Sequence, residues 1–231
     1  MWEVVLLAPV DEWFLHLCED DPQTANRVLE AIDHLAAAGP GLGRPLVDRV
    51  HGSRLHNLKE LRPGSAGRSE IRLLFVFDPS REAVILVAGD KAGQWNRWYR
   101  ENIPLPSRDT RSTWSTARRR RPMSARRWSD VKADAAARQP WLATAEAAEE
   151  RAQIRAENLG RIRGHELAEL RKAAGLTQVE VARALGVSQA RVSQIEHGKI
   201  DSLDTLRAYA EVLGAEVSIV VSKGPLTLKV A

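Results

Sequence analysis

LTQVEVARALGVSQARVSQIEHGK, residues 176–199, reads as two short helices joined by a tight turn. Thr177 caps the first helix, and Glu180, three residues on, reaches back to close a capping box. Gly186 supplies the sharp turn, and Ser188 caps a second helix running to about His197. Leu176, Val181, Ala182, Leu185, Val187, Val192 and Ile195 are spaced so that two crossed helices bury one shared core. The exposed start of the second helix then carries Gln189, Ala190, Arg191, Ser193 and Gln194, which are small, amide and guanidinium side chains suited to reading base edges in a major groove. Thr177, Gln178 and Lys199 would approach the phosphates. Ser188, at the tip of the second helix, belongs to the same DNA-facing set.

Helical flanks are expected at about 164–174 and 202–213, which makes an all-α domain over residues 163–214. These residues resemble the Cro/cI-type helix-turn-helix family, the XRE regulators. The resemblance implies a two-fold dimer on a palindromic operator, with half-sites about one helical turn apart, roughly 34 Å. Under that reading, losing Arg191 relaxes specificity and costs about 1–3 kcal/mol if its base contact is bidentate.

The chain has 231 residues, enough for two modest domains, and its hydrophobic content of 44% is ordinary for globular proteins. One cysteine, Cys18, excludes an internal disulfide and a cysteine-based zinc site. The opening MWEVVLLAPVDEW has no basic leader, and no apolar run is long enough to span a bilayer. A cytoplasmic protein without a membrane partner is therefore expected. The net charge of +4 is unevenly spread. Residues 1–106 carry 12 Lys and Arg against 15 Asp and Glu, residues 107–127 carry 8 against 1, and residues 128–231 carry 14 of each. The basic excess thus sits in a connecting stretch, and the overall charge is no argument for nucleic-acid binding.

Before that stretch, Trp2–Ala8 reads as a strand, Val10–Cys18 as a short amphipathic helix, and Asp21-Pro22 as the opening of a longer helix with Val28, Leu29, Ile32 and Leu35 on one stripe. Gly39-Pro40-Gly41 ends it. Three strand-like runs follow at Leu55–Leu61, Glu70–Phe77 and Ala83–Ala88, punctuated by Pro63-Gly64-Ser65 and Asp78-Pro79-Ser80. Gln94–Arg100 reads as a closing helix or packed tail. The expectation is an α+β domain, with two helices on a four-stranded, mainly antiparallel sheet.

HNLKELRPGSAGRSEIRLLFVFD and LVAGDKAGQW, within residues 1–106, resemble the RelE/HigB-like toxins of toxin–antitoxin modules. The resemblance implies a RelE-like fold and cleavage of mRNA on the translating ribosome. A metal-independent ribonuclease of that kind activates the ribose 2′-OH and meets the extra negative charge at phosphorus with fixed cations. Lys59, Arg62, Arg68, Arg72 and Lys91 are the candidate cations, and His56 the candidate acid or base. Strand alternation sends Lys59 to the face opposite Glu60 and Arg62. Where the family often carries His, Tyr or Asp near its end, this sequence has Trp98-Tyr99-Arg100. No metal site and no cofactor is expected.

Residues 107–127 are rich in Arg, Ser and Thr without periodicity, and read as a linker. Helical sequence resumes over 128–162, with Ser129 or Asp130 as cap of a helix to about Arg138 and a restart at Pro140 running towards Leu159. Met123 looks like the first residue of a HigA-like antitoxin, so the chain reads as a toxin and its antitoxin in one reading frame. The acidic residues Glu146, Glu149 and Glu150 are expected to mask the toxin's cations. Over 215–231, Glu216–Ser222 and Leu226–Val230 bracket Gly224-Pro225 as a β-hairpin and a possible dimerisation element. The expected partners are operator DNA, mRNA on the ribosome, a toxin–antitoxin contact within or between chains, and a second copy of the chain. The competing reading is an XRE-family regulator whose N-terminal domain binds a partner and cleaves nothing.

Overall fold

The computed structural model describes residues 1–51, 53, 57–65, 67, 69–92, 125–223 and 226–229. Two compact units divide the chain, Met1–Ala156 and Glu157–Ala231.

The first unit is built on a six-stranded sheet of order β2-β3-β4-β5-β1-β6, formed by β1 (Glu3–Leu7), β2 (Val47–Arg49), β3 (Lys59–Leu61), β4 (Ile71–Phe77), β5 (Glu82–Asp90) and β6 (Ala125–Arg127). This corrects the expected four strands. Both additions are three-residue edge strands, too short to display an alternating pattern, and they are specified by the neighbours they pair with. β6 falls within the stretch expected to be linker and lies antiparallel on β1, with Leu6 opposite Arg126. β1 in turn runs parallel to β5. The remaining ladders are antiparallel.

Two helices follow β1: α1 (Ala8–Asp20) and α2 (Pro22–Ala38). Asp21 starts α2 as the sequence predicts, its carboxylate accepting the Thr24 amide at 3.1 Å. Phe14, Val28, Ile32 and Leu35 are fully buried. Phe75 and Phe77 stack edge to face and lead to Trp2, whose amide donates to the Ala36 carbonyl of α2. This side of the sheet is therefore the helix side. On the other side Leu58, Leu74 and Val76 form a second apolar cluster.

Residues after β6 complete this unit. α3 (Trp128–Arg138) starts without a side-chain cap; Ser129 and Asp130, the expected caps, lie inside it. A 3-10 turn at Pro140–Ala143 leads into α4 (Ala145–Ala173), one 29-residue helix where a break was expected before residue 164. Trp128 buries its ring edge to face against Phe14, 4.9 Å between centroids.

The second unit takes the rest of α4, then α5 (Gln178–Leu185), α6 (Gln189–Glu196), α7 (Leu203–Val212) and a two-stranded sheet of β7 (Val220–Lys223) and β8 (Leu226–Lys229). Its core is Val181, Ala182, Val192, Ile195 and Tyr209, with Leu167, Leu176, Leu185, Ile200, Val212 and Leu213 packed around it. Val187, expected inside, is exposed. It follows Gly186 in the turn, and the reversal directs it outward. Gly164 sits where an added Cβ would meet Gly198 N at 2.5 Å and Glu196 O at 2.6 Å, so α4 runs backbone to backbone against the end of α6. The helix accepts two glycines, Gly160 and Gly164, because this contact requires them.

The candidate basic cluster and nucleic-acid interface

On the helix-free face of the first unit, strand alternation places Glu60 of β3 opposite Leu74 and Arg72 of β4 opposite Gly89. Glu60, with only 2% of its surface exposed, accepts Arg62 Nε at 2.6 Å and lies 3.6 Å from Arg72 Nε. Arg62 also pairs with Asp48 at 2.9 Å. Burial raises the Asp48 carboxyl, but hydrogen bonds from Arg44 and the Arg49 amide, with the charge of Arg62, hold it below its ordinary range. Lys91 follows β5 and is 1% exposed, its Nζ 3.8 Å from Glu70. Burial, and then the neighbouring Arg72, bring its ammonium down to about 8, partly offset by Glu60 and Glu70.

Arg62, Arg72 and Lys91 are therefore brought together around the buried Glu60, with Asp48 and Glu70 beside them. Lys59 is not among them: opposite Phe75, it points to the helix side. His56 and Arg68, the Gln94–Arg100 element and Ser107–Pro122 lie outside the described residues, as does Met123. The sequence reading missed the part of Asp48, which lies well before the KELR run and reaches Arg62 only through strand pairing.

The segment from β6 to the start of α4 meets α1 and α2 with reversed polarity to the one expected. Its cations face acids. Arg155 grips Glu30, which has no exposed surface, through two hydrogen bonds of 2.8 and 2.9 Å. Lys132 and the Trp128 indole both donate to Asp33, at 2.8 and 2.7 Å. Arg126 lies 3.6 Å from the buried Asp11. Glu146 and Glu149 are exposed, and Glu150 accepts from Asn26 at 2.6 Å. The expected match between these acids and the toxin's cations is replaced by a cationic segment on an acidic face.

In the second unit the caps read from the sequence are present. Glu180 N donates to Thr177 Oγ1 and Thr177 N to Glu180 Oε2, Gly186 has φ 66°, and Ser188 Oγ accepts the Arg191 amide. Beneath α6, Glu196 accepts Arg171 in a fork of 2.6 and 3.1 Å, the Tyr209 hydroxyl at 2.7 Å and Gln178 Nε2 at 2.8 Å. Burial opposes the charge on Glu196, yet these donors hold its carboxyl below the ordinary value. Gln178 Oε1 then accepts Gln189 Nε2 at 2.6 Å. A buried ion pair thereby fixes the polarity of the first amide on the outer face.

Gln189, Ala190 and Gln194 are exposed, Ser193 is half-buried, and Thr177, Ser188 and Lys199 flank them at the surface. Arg191 turns along the protein instead. It pairs with Asp201 and donates to the Lys199 carbonyl at 3.3 Å and to Gln194 Oε1 at 3.5 Å. The Arg171–Glu196–Tyr209 network escaped the sequence reading, since its members are scattered over nearly forty positions.

Residues 14–109 match the family model described as Phage derived protein Gp49-like, and residues 164–218 a model described as Helix-turn-helix domain. A Mycobacterium tuberculosis protein named as toxin HigB3 is 54% identical over 102 residues, covering 44% of this chain and 84% of the relative. A second protein of that organism, named as antitoxin HigA3, is 42% identical over 108 residues, covering 46% of this chain and 94% of the relative. Among solved structures, one titled "DNA bound antitoxin HigA3" shares 45% identity over 28% of this chain and 86% of that one, with a TM-score of 0.26.

Proposed function

The chain belongs to the HigB toxins through its first part and to the HigA antitoxins through its second, and from that premise we propose that it holds a ribonuclease and its own inhibitor, and controls a promoter with the same molecule. The toxin part cleaves mRNA on the ribosome. Arg62 and Arg72 meet the charge developing at phosphorus, with Lys91 as a third cation whose proton is lost as pH rises through about 8. Lys59, His56 and Arg68 serve in supporting roles. The segment 125–156 docks on the acidic face of α1 and α2 and keeps the toxin part from acting.

The antitoxin part binds operator DNA as a dimer. Gln189, Ala190, Ser193 and Gln194 face the bases, while Thr177, Gln178, Ser188 and Lys199 approach the phosphates. The observation that carries this reading is the chain of hydrogen bonds from Arg171 through Glu196 and Gln178 to Gln189, which preorganises an outward-facing amide on a capped helix. The β7–β8 hairpin exposes Val220, Val221 and Leu228, and pairs with a second copy. No described helix is long and apolar enough to cross a membrane.

Two experiments test the reading. Primer extension on cellular mRNA during expression of residues 1–106 should map new 5′ ends that vanish with Arg72→Ala. Selection of duplexes from a randomised pool by the full chain should enrich a palindrome. A fragment that leaves mRNA intact would favour the plain regulator.

A further inference from the structure

The outer face of α6 carries one cation, Arg191, and its guanidinium is committed to the protein. It pairs with Asp201, ten residues on, and donates to the carbonyl of Lys199 at 3.3 Å. Its side chain is 25% exposed, against 67% for Asp201. Both acceptors lie beyond Gly198, on the connection from α6 to α7. Apart from Arg191, α6 has one charged residue, Glu196, which is buried under the helix. An arginine that read a base would have to leave three acceptors: that backbone carbonyl, the Gln194 amide oxygen at 3.5 Å, and a carboxylate that neutralises it.

We propose that Arg191 is a positioning residue which, clamped by Asp201, fixes the backbone of Lys199 so that the lysine side chain meets a DNA phosphate, and that base reading falls on its neutral neighbours. This rests on the DNA-binding reading above. The physical consequence is specific. Clamping a phosphate contact changes affinity for every duplex alike and leaves the preferred bases as they were. A bidentate base contact would instead discriminate at one position of each half-site.

The full chain, with Arg191→Ala, Lys199→Ala, the double variant and Asp201→Asn, separates the two roles. Duplexes selected by the parent chain from a randomised pool serve as probes, with single-base changes through each half-site. Arg191→Ala should weaken binding by one common factor across the panel. The slope of log K against log salt should fall by about 0.9, the value for one lost phosphate contact. Lys199→Ala should do the same, and the double variant should do no more. Asp201→Asn should leave the base profile unchanged. Loss of preference at one base pair in Arg191→Ala, or additive salt slopes, would overturn the proposal. Should the parent chain enrich no sequence, the DNA-binding reading itself fails. The clamp is then read by thermal unfolding: Arg191→Ala and Asp201→Ala should each lower the Tm, and together no further, whereas additive lowering would overturn it.

Discussion

Gln189 donates its side-chain amide to Gln178 Oε1 at 2.6 Å, and Gln178 in turn donates to Glu196. Each amide is oriented by the next, back to a carboxylate that cannot rotate because Arg171 and Tyr209 hold it. Gln178→Ala removes the middle of this relay at a half-buried surface position and leaves the core intact. The expected loss of operator affinity is about 1 kcal/mol, roughly five-fold. Fluorescence anisotropy on the selected duplex measures it, and an unchanged affinity would mean that Gln189 needs no orienting partner.

Removing one member of the buried pair is costlier. Arg171→Ala leaves Glu196 charged, buried and short of its main donor, a change worth about 3–5 kcal/mol. Hydrogen exchange of amides 178–212 in the full chain should quicken accordingly. The pH dependence has a defined sign. Glu196 titrates below its ordinary value of 4.5 in the folded chain, so it contributes stability above 4.5 that is lost as pH falls through the native value. Amide protection in this region should weaken on acidification, and Glu196→Gln should flatten that dependence.

Gly164→Ala places a methyl group at 2.5 Å from Gly198 N, between two backbones that have no side chain to move aside. Overpacking of this kind costs about 1–3 kcal/mol. Calorimetry should record a lowered Tm. Gly175→Ala serves for comparison: an added Cβ there meets nothing within 4 Å, and its φ of +73° leaves backbone strain as the cost. A Tm unmoved by Gly164→Ala would mean that α4 and the end of α6 can part without loss.

Lys91 offers a pH test of the basic cluster. Its ammonium titrates at about 8 rather than 10.5, so as a fixed cation it is lost on the alkaline side, and mRNA cleavage should fall as pH rises through about 8. Stability moves the other way: the unfolded chain binds the extra proton between about 8 and 10.5, so the first unit gains stability over that range. Cleavage undiminished well above pH 8 would remove Lys91 from the charge-stabilising set.

The helix pair of the DNA-binding part was legible because its signals are local: Thr177 with Glu180, Gly186 and Ser188 act within a few residues of one another. What escaped depends on partners distant in sequence. Arg191 looked like a reader on its own helix, and only Asp201 shows where it points. Strands β2 and β6 are fixed by pairing with β3 and β1, with three residues each to signal it. The polarity of docking was misread because the acids near Glu146 are conspicuous as a run, whereas Glu30 and Asp33 sit on a helix and become decisive only when Arg155 and Lys132 reach them. Arg62, Arg72 and Lys91 were found by resemblance, which named Lys59 with them; alternation set Lys59 on the face opposite Arg62.

Docking through Glu30 can be probed by charge reversal. Glu30→Arg sets two guanidinium groups against each other, and exchange of amides 145–156 should accelerate. Arg155→Glu in the same chain should restore protection. Acceleration without rescue would show that Glu30 matters to α2 rather than to docking.

The most direct test compares growth of cells expressing residues 1–106 with cells expressing residues 1–156, the whole of the first compact unit. Arrest by the shorter fragment and normal growth with the longer one is the result this account predicts. Equal arrest by both, or by neither, would contradict a toxin silenced by the segment that follows it in its own chain.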